Sequence, residues 1–423
     1  MFNVVRLKEI FLSIGLLLLS TALLISGSGL MNTLVSLKFK IAGKSELLIG
    51  CIAAMYFSGM LFGSLKISKL IKIVGYVKSF STLASIMAIT SILPGMNDNI
   101  IVFFICRFIQ GACIAGLYIV VESWVLCSSS ENNRGKTLAM YMIVLYSSYS
   151  MGQFFLSEAT ISTILPFCIS TILIIASIIP LSSFPVTPPL LEEHDSISLK
   201  KIYHASKAGF IGCFISGMII SSIFSILPLY VEEIADNTQF IAFAMAITFL
   251  SGVLMQYPLG NFSDKMDRRK VQIMLNIMYS IFLLIFAVLE YFKLVNYYVL
   301  IFIVIIIGIF SFTIYPVSMN LVCDHLKRSE IIRGTEGLTI SFGVGSIIGP
   351  IYSSFSIKLF GFYGYPISYV ILTIFLSCFS VFSLDKNKSK KQIPISEIIT
   401  PLVPYNQIDF DSIQLNSKSK DKK

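Results

Sequence analysis

The sequence predicts an all-α integral membrane protein with about twelve transmembrane helices in two six-helix halves. Three observations carry this. Of 423 residues, 55% are hydrophobic and 13% charged, where a soluble domain carries roughly 25% charged residues. The apolar residues come in runs of bilayer length, about 20 residues at 1.5 Å each. Short basic stretches separate the runs, as in loops left outside hydrocarbon.

In order, the spans fall near 10–37, 46–65, 78–96, 100–126, 137–157, 162–184, 208–231, 239–259, 271–292, 297–322, 335–357 and 364–384. Arg6 and Lys8 precede the apolar run from Ile10 to Ile25, and small residues from Ser26 to Gly29 follow it. That pattern also fits a cleaved signal peptide. The apolar stretch continues to Leu37, and an even helix count results, so an uncleaved first helix is preferred. The longest internal polar stretch, "PVTPPLLEEHDSISLKKIYHASK" (185–207), reads as a cytoplasmic linker between an N-terminal half (1–184) and a C-terminal half (208–384). Residues 385–423 are polar and lysine-rich, the composition of a disordered cytoplasmic tail.

Even parity puts both termini on one side. If that side is cytoplasmic, only Lys38, Lys40, Lys44, Lys293 and Lys358 of the 32 bases fall outside, and Arg107 falls within a span. This asymmetry sets the orientation. It also makes topology, not nucleic-acid binding, the meaning of the net charge of +9. The three lysines after the first helix run against the rule. Eight cysteines form no C-x-x-C pair, so inert buried thiols are expected and neither a disulfide framework nor a zinc site. No Walker loop, H-E-x-x-H pair or serine elbow occurs, which argues against an enzyme and against a cofactor or metal.

Charge concentrates in "PLGNFSDKMDRRKVQI" (258–273), with Gly260, Asp264, Lys265, Arg268, Arg269 and Lys270. Asp264 can accept hydrogen bonds from a neighbouring helix N-terminus and so latch two helices together. The alternative is a purely topogenic cluster. The halves also repeat: Gly63 and Gly260 each close an even-numbered span before a basic loop. "NNRGKT" (132–137) and "IIRGTE" (331–336) place Arg134 and Arg333 before odd-numbered spans. The two offsets, 197 and 199 residues, nearly agree.

On these residues the chain resembles the major facilitator superfamily. Its signature reads roughly G-x-x-x-D-(R/K)-x-G-(R/K)-(R/K), between the second and third helices of a half. Here Asp267 replaces the second glycine, and the first-half copy has Ile67 where the acid belongs. "RFIQGACIAG" (107–116) resembles the family's R-x-x-Q-G element. "SYSMGQ" (148–153) stands where antiporters carry G-P-x-x-G-G and lacks it, which makes drug efflux less favoured. "ESW" ending helix four and "NRG" opening helix five look like a little-characterised bacterial branch. The resemblance implies alternating access around a central site, a helix four that lines the cavity, and the bacterial inner membrane as location.

Within the spans, Arg107 stands out. On a wheel of 100° per residue, Gln110, Gly111, Tyr118 and Glu122 fall within about 60° of it. Arg107 either faces the cavity, for substrate or proton handling, or is structural, snorkelling outward or pairing with an acid such as Glu158. Glu122 is either a proton carrier or a gate partner of Arg134. Glu336 reads as a dipole-favoured residue in the first turn of helix eleven or a coupling group. Tyr146, Tyr149, Gln153, Tyr315 and Asn320 are weaker cavity candidates. The serines of helix seven suit close packing or the cavity. The expected function is secondary active transport of a small solute, driven by protons because no nucleotide site exists. The partners are a small molecule, protons and the lipid bilayer, with no nucleic acid, and the protein acts as a monomer. The alternative is a non-transporting receptor or scaffold on a transporter fold.

Overall fold

The computed structural model describes residues 2–97, 99–127, 134–157, 161, 163–183, 199–235, 237–326 and 331–383. The first half holds α1 (Phe2–Ile41), α2 (Glu46–Val74), α3 (Tyr76–Met96), α4 (Ile100–Cys127), α5 (Arg134–Ser157), α6 (Leu165–Ala176) and α7 (Ile178–Ser182). After the short α8 (Leu199–Ala205) come α9 (Lys207–Ser225), α10 (Leu227–Ala235), α11 (Thr238–Lys265), α12 (Arg268–Tyr291), α13 (Tyr297–Cys323), α14 (Ile331–Phe360) and α15 (Gly364–Phe382). Each expected span coincides with one helix or with a broken pair. Among the described residues, eleven stretches are long and apolar enough to cross a membrane. The remaining span, α5, carries the hydroxyl-rich "LYSSYS" and packs between α1 and α11.

Proline breaks two spans. Pro180 withholds an N–H from the carbonyl of Ala176, and α6 gives way to α7 at Ser177. Pro228 does the same to Phe224, and α9 gives way to α10 at Ile226. The expected linker is not wholly irregular: 199–205 form α8, which seats Ile202 beside Gly337 of α14. Residues 184–198 and the tail beyond 383 lie outside the described residues.

Packing repeats between the halves. The pairs α1/α5, α2/α4 and α3/α6 recur as α9/α14, α11/α13 and α12/α15. Small residues allow the closest approaches. Gly111 of α4 faces the carbonyl of Tyr56 on α2, where a Cβ would collide with backbone. Gly63 does not close a helix as the sequence pattern implied; it lies inside α2, against the backbone of Ala112. Across the halves α2 runs along α14 and α5 along α11, while α1 touches α9 and α10.

The charged knot also differs from expectation. It is not a loop, because α11 continues to Lys265 and α12 opens at Arg268. Gly260, Asp264 and Lys265 therefore belong to the last turns of α11. The side chain of Asp264 lies outside the described residues. Asp267 caps α12, accepting the N–H of Arg269 at 2.9 Å, which explains an acid where the family pattern has glycine. Arg268 is no surface anchor: it is buried and donates to Asp324 at the end of α13, at 2.5 Å. Lys265 is exposed and Arg269 half-buried.

Two of the three lysines that ran against the charge rule have structural partners. Lys38 and Lys40 belong to the last turn of α1, where the helix dipole favours cations. The Lys38 ammonium lies 5.5 and 5.1 Å from the ring centres of Phe103 and Phe167. Lys40 pairs with Glu46 at 3.7 Å and with Glu233 of α10 at 3.0 Å, and it sits 4.4 Å over the ring of Phe362.

Candidate substrate cavity

The α4 helix carries Arg107 two turns in from its start, with 4% of the side chain exposed. Its terminal nitrogens donate to Gln110 Oε1 at 3.0 Å and to Asn32 Oδ1 of α1 at 2.6 Å. The guanidinium stacks 4.2 Å from the ring centre of Tyr56 on α2. Gln110 presents its oxygen because its amide nitrogen is held by the Thr90 carbonyl at 2.8 Å. Among the described residues no carboxylate meets Arg107, and its Nε has no hydrogen-bond partner. A charge buried in this way normally needs a paired opposite charge. Two amide oxygens and a ring stand in its place.

Further along the stripe, the hydroxyls of Tyr118 and of Tyr149 on α5 lie 2.7 Å apart. Glu122 is buried one turn beyond and accepts from Tyr141 at 3.3 Å. Fifteen residues of helix, about 22 Å, separate it from Arg107. Gly111 belongs to helix packing, not to the polar face.

Between the halves lies a cavity lined by side chains of both. Asn32, Tyr56, Tyr118, Tyr146 and Tyr149 give one wall its polar groups. Arg107 stands directly behind Asn32 and Tyr56. The opposite wall comes from α9, α13 and α14: Ile220, Phe224, Phe312 and Phe342, without one polar side-chain atom. Aromatic contacts bridge the walls, with Tyr149 5.0 Å from Phe224 and Tyr146 5.2 Å from Phe312.

The structure brings Arg107, Gln110 and Tyr118 to one face and adds Asn32 and Tyr56, which the sequence pattern did not single out. The signal was there: Asn32 is the one amide of the first apolar run, and Tyr56 the one tyrosine of the second. Tyr146 and Tyr149 line the cavity. Gln153 does not; it accepts from Thr33 at 2.7 Å within the α1–α5 seam. Tyr315 meets Thr339 at 3.4 Å. Ser221, Ser222 and Ser225 bond to carbonyls of their own helix. Arg134 opens α5 and Arg333 lies in the first turn of α14. Because α14 begins at Ile331, Glu336 falls in its second turn, not its first. The side chains of these three lie outside the described residues.

The family model of the Major Facilitator Superfamily matches residues 16–237 and 209–413. The chain belongs to the Major Facilitator Superfamily. The "Uncharacterized MFS-type transporter YcaD" of Shigella flexneri serotype 5b is 31% identical over 353 residues, covering 82% of this chain and 88% of its own. The protein of that name from Escherichia coli K12 is 31% identical over the same shares. Among solved structures, a D-xylose–proton symporter has a TM-score of 0.72 at 15% identity, over 90% of this chain and 99% of its own. The nucleoside transporter NupG has a TM-score of 0.71 at 15% identity, over 89% and 100%. These two likenesses show the superfamily's fold, and membership makes the chain a multi-pass membrane transporter.

Proposed function

We propose that the protein is a proton-coupled secondary transporter that carries a small solute through this cavity by alternating access. The halves are assigned as 1–184 and 208–384, with both termini cytoplasmic in a bacterial inner membrane. The observation that carries the reading is the buried Arg107 cluster, set against an apolar wall of the other half. A scaffold has little use for a desolvated cation at this depth, which costs about 2.5–3.5 kcal/mol to insert. Glu122 is the proposed proton carrier. Gly260, Asp264, Lys265, Arg268, Arg269, Arg134, Arg333 and Glu336 form the proposed cytoplasmic gate. The named activity of the D-xylose–proton symporter supports proton coupling by analogy of fold.

The test starts from a solute library screened for thermal stabilisation of the purified protein, because a ligand that binds the folded state raises its stability. Hits go into proteoliposomes with an imposed pH gradient. Wild type is expected to accumulate a hit against its gradient. Glu122→Gln is expected to keep solute exchange and to lose proton-driven accumulation at least tenfold. Wild-type accumulation by Glu122→Gln would remove this carboxyl from coupling, and no transport of any solute would overturn the function.

A further inference from the structure

We infer that the cavity selects an amphipathic organic monoanion: a carboxylate-like head held on the Arg107 side and a flat aromatic or apolar body against the second half. This rests on the transporter reading and names the substrate class of its site.

The head follows from the donors. A guanidinium carries five N–H groups, and the two bonds to Gln110 and Asn32 use only part of them. With its oxygen turned to Arg107, Asn32 directs its NH2, a donor, away from the guanidinium. In the Tyr118–Tyr149 pair one hydroxyl donates to the other, and the second hydrogen remains available. The polar wall thus presents N–H and O–H hydrogens from Asn32 and the tyrosines, backed by one positive charge, an arrangement that suits an anion in a low-dielectric site.

The single charge follows from the count. Arg107 is the one base at this wall among the described residues, and no acid lines the cavity. A dianion would leave one charge uncompensated, and a cation would meet the guanidinium with nothing to offset the repulsion. The body follows from the opposite wall. Ile220, Phe224, Phe312 and Phe342 offer no hydrogen bond, so a polyol would strand its hydroxyls there at about 1–3 kcal/mol each. An aromatic ring instead gains offset or edge contacts with Phe224 and Phe312.

The test uses matched probes on the full-length protein: benzoate, phenylacetate and indole-3-acetate as anions, benzamide as neutral isostere, benzylammonium as cation, and acetate and glucose as controls for the body. Thermal shift and proteoliposome uptake are both read. The aromatic anions are expected to stabilise wild type and to bind at least tenfold more tightly than benzamide, with benzylammonium, acetate and glucose inactive. Arg107→Gln should abolish the preference for benzoate over benzamide. Arg107→Lys should retain part of it, since the charge stays and the planar fork is lost. Phe224→Ala should weaken the aromatic anions and bring them toward acetate. Equal affinity for benzoate and benzamide in wild type overturns the inference whether or not any variant folds, as does silence from all three anions. Uptake of glucose or benzylammonium without anion binding leaves the transporter reading standing and removes this one. Anion binding without uptake of any probe keeps the ligand class and counts against transport.

Discussion

Arg107 and Arg268 are both buried arginines, and their surroundings differ in kind. Arg268 has a carboxylate at 2.5 Å; Arg107 has amides and a ring. Pairing inside a protein offsets desolvation only if both partners stay, so Asp324→Ala should destabilise the protein by about 3–5 kcal/mol. Thermal unfolding in detergent checks this, and Arg268→Met combined with Asp324→Ala should recover part of the loss. A melting point unchanged by Asp324→Ala would mean that Arg268 depends on other groups. The contrast was only half legible in the sequence. Helical period alone placed Gln110 and Tyr118 on the face of Arg107, because all three belong to one helix. Asn32 and Tyr56 reach the guanidinium from α1 and α2, and such contacts leave no periodic trace. Arg268 looked like a surface charge because its neighbours Lys265, Arg269 and Lys270 are charged. Only the packing of α12 on α13 turns it inward.

At the scale of helices, the apolar runs marked every span, since the bilayer demands both length and apolarity of the same residues. The ends were less legible. Hydrocarbon thickness limits apolarity, not helicity, so α2 and α11 continue as helices past their apolar limits to Val74 and Lys265. A proline shows where a helix is weakened, and the breaks before Pro180 and Pro228 depend on a carbonyl four residues earlier. Glycine roles were ambiguous too: Gly63 looked like punctuation and is a contact point. Close approach at Gly111 gives a prediction. Gly111→Val places side-chain atoms into the Tyr56 carbonyl and should cost about 1–3 kcal/mol or more. Reduced yield and a lower melting temperature of the purified protein are expected. Gly15→Ala, whose new Cβ meets no atom within 4 Å, is the control and should melt like wild type. Equal melting of the two variants would show that α2 and α4 can part freely.

For the whole molecule, the distribution of bases predicts both termini on the cytoplasmic side. A reporter fused after Asp385 should respond as cytoplasmic, and one inserted after Gly43, between α1 and α2, as external. The reverse result at either site would overturn the assigned orientation. Lys38 and Lys40, which weakened the charge rule, do not weaken this expectation, since each is held by rings or acids at the end of α1.

If the halves rock as proposed, the two cavity walls differ in what they ask of a bound molecule. Hydrogen bonds are directional and break over a fraction of an ångström; dispersion contacts are weak individually and indifferent to sideways sliding. A ligand fastened by its head to one half can therefore ride with that half while the phenylalanines of the other slip past it. Its affinity then changes little between the inward-open and outward-open forms. A molecule that binds two forms equally leaves their balance undisturbed, so the loaded carrier would turn over without settling into either one.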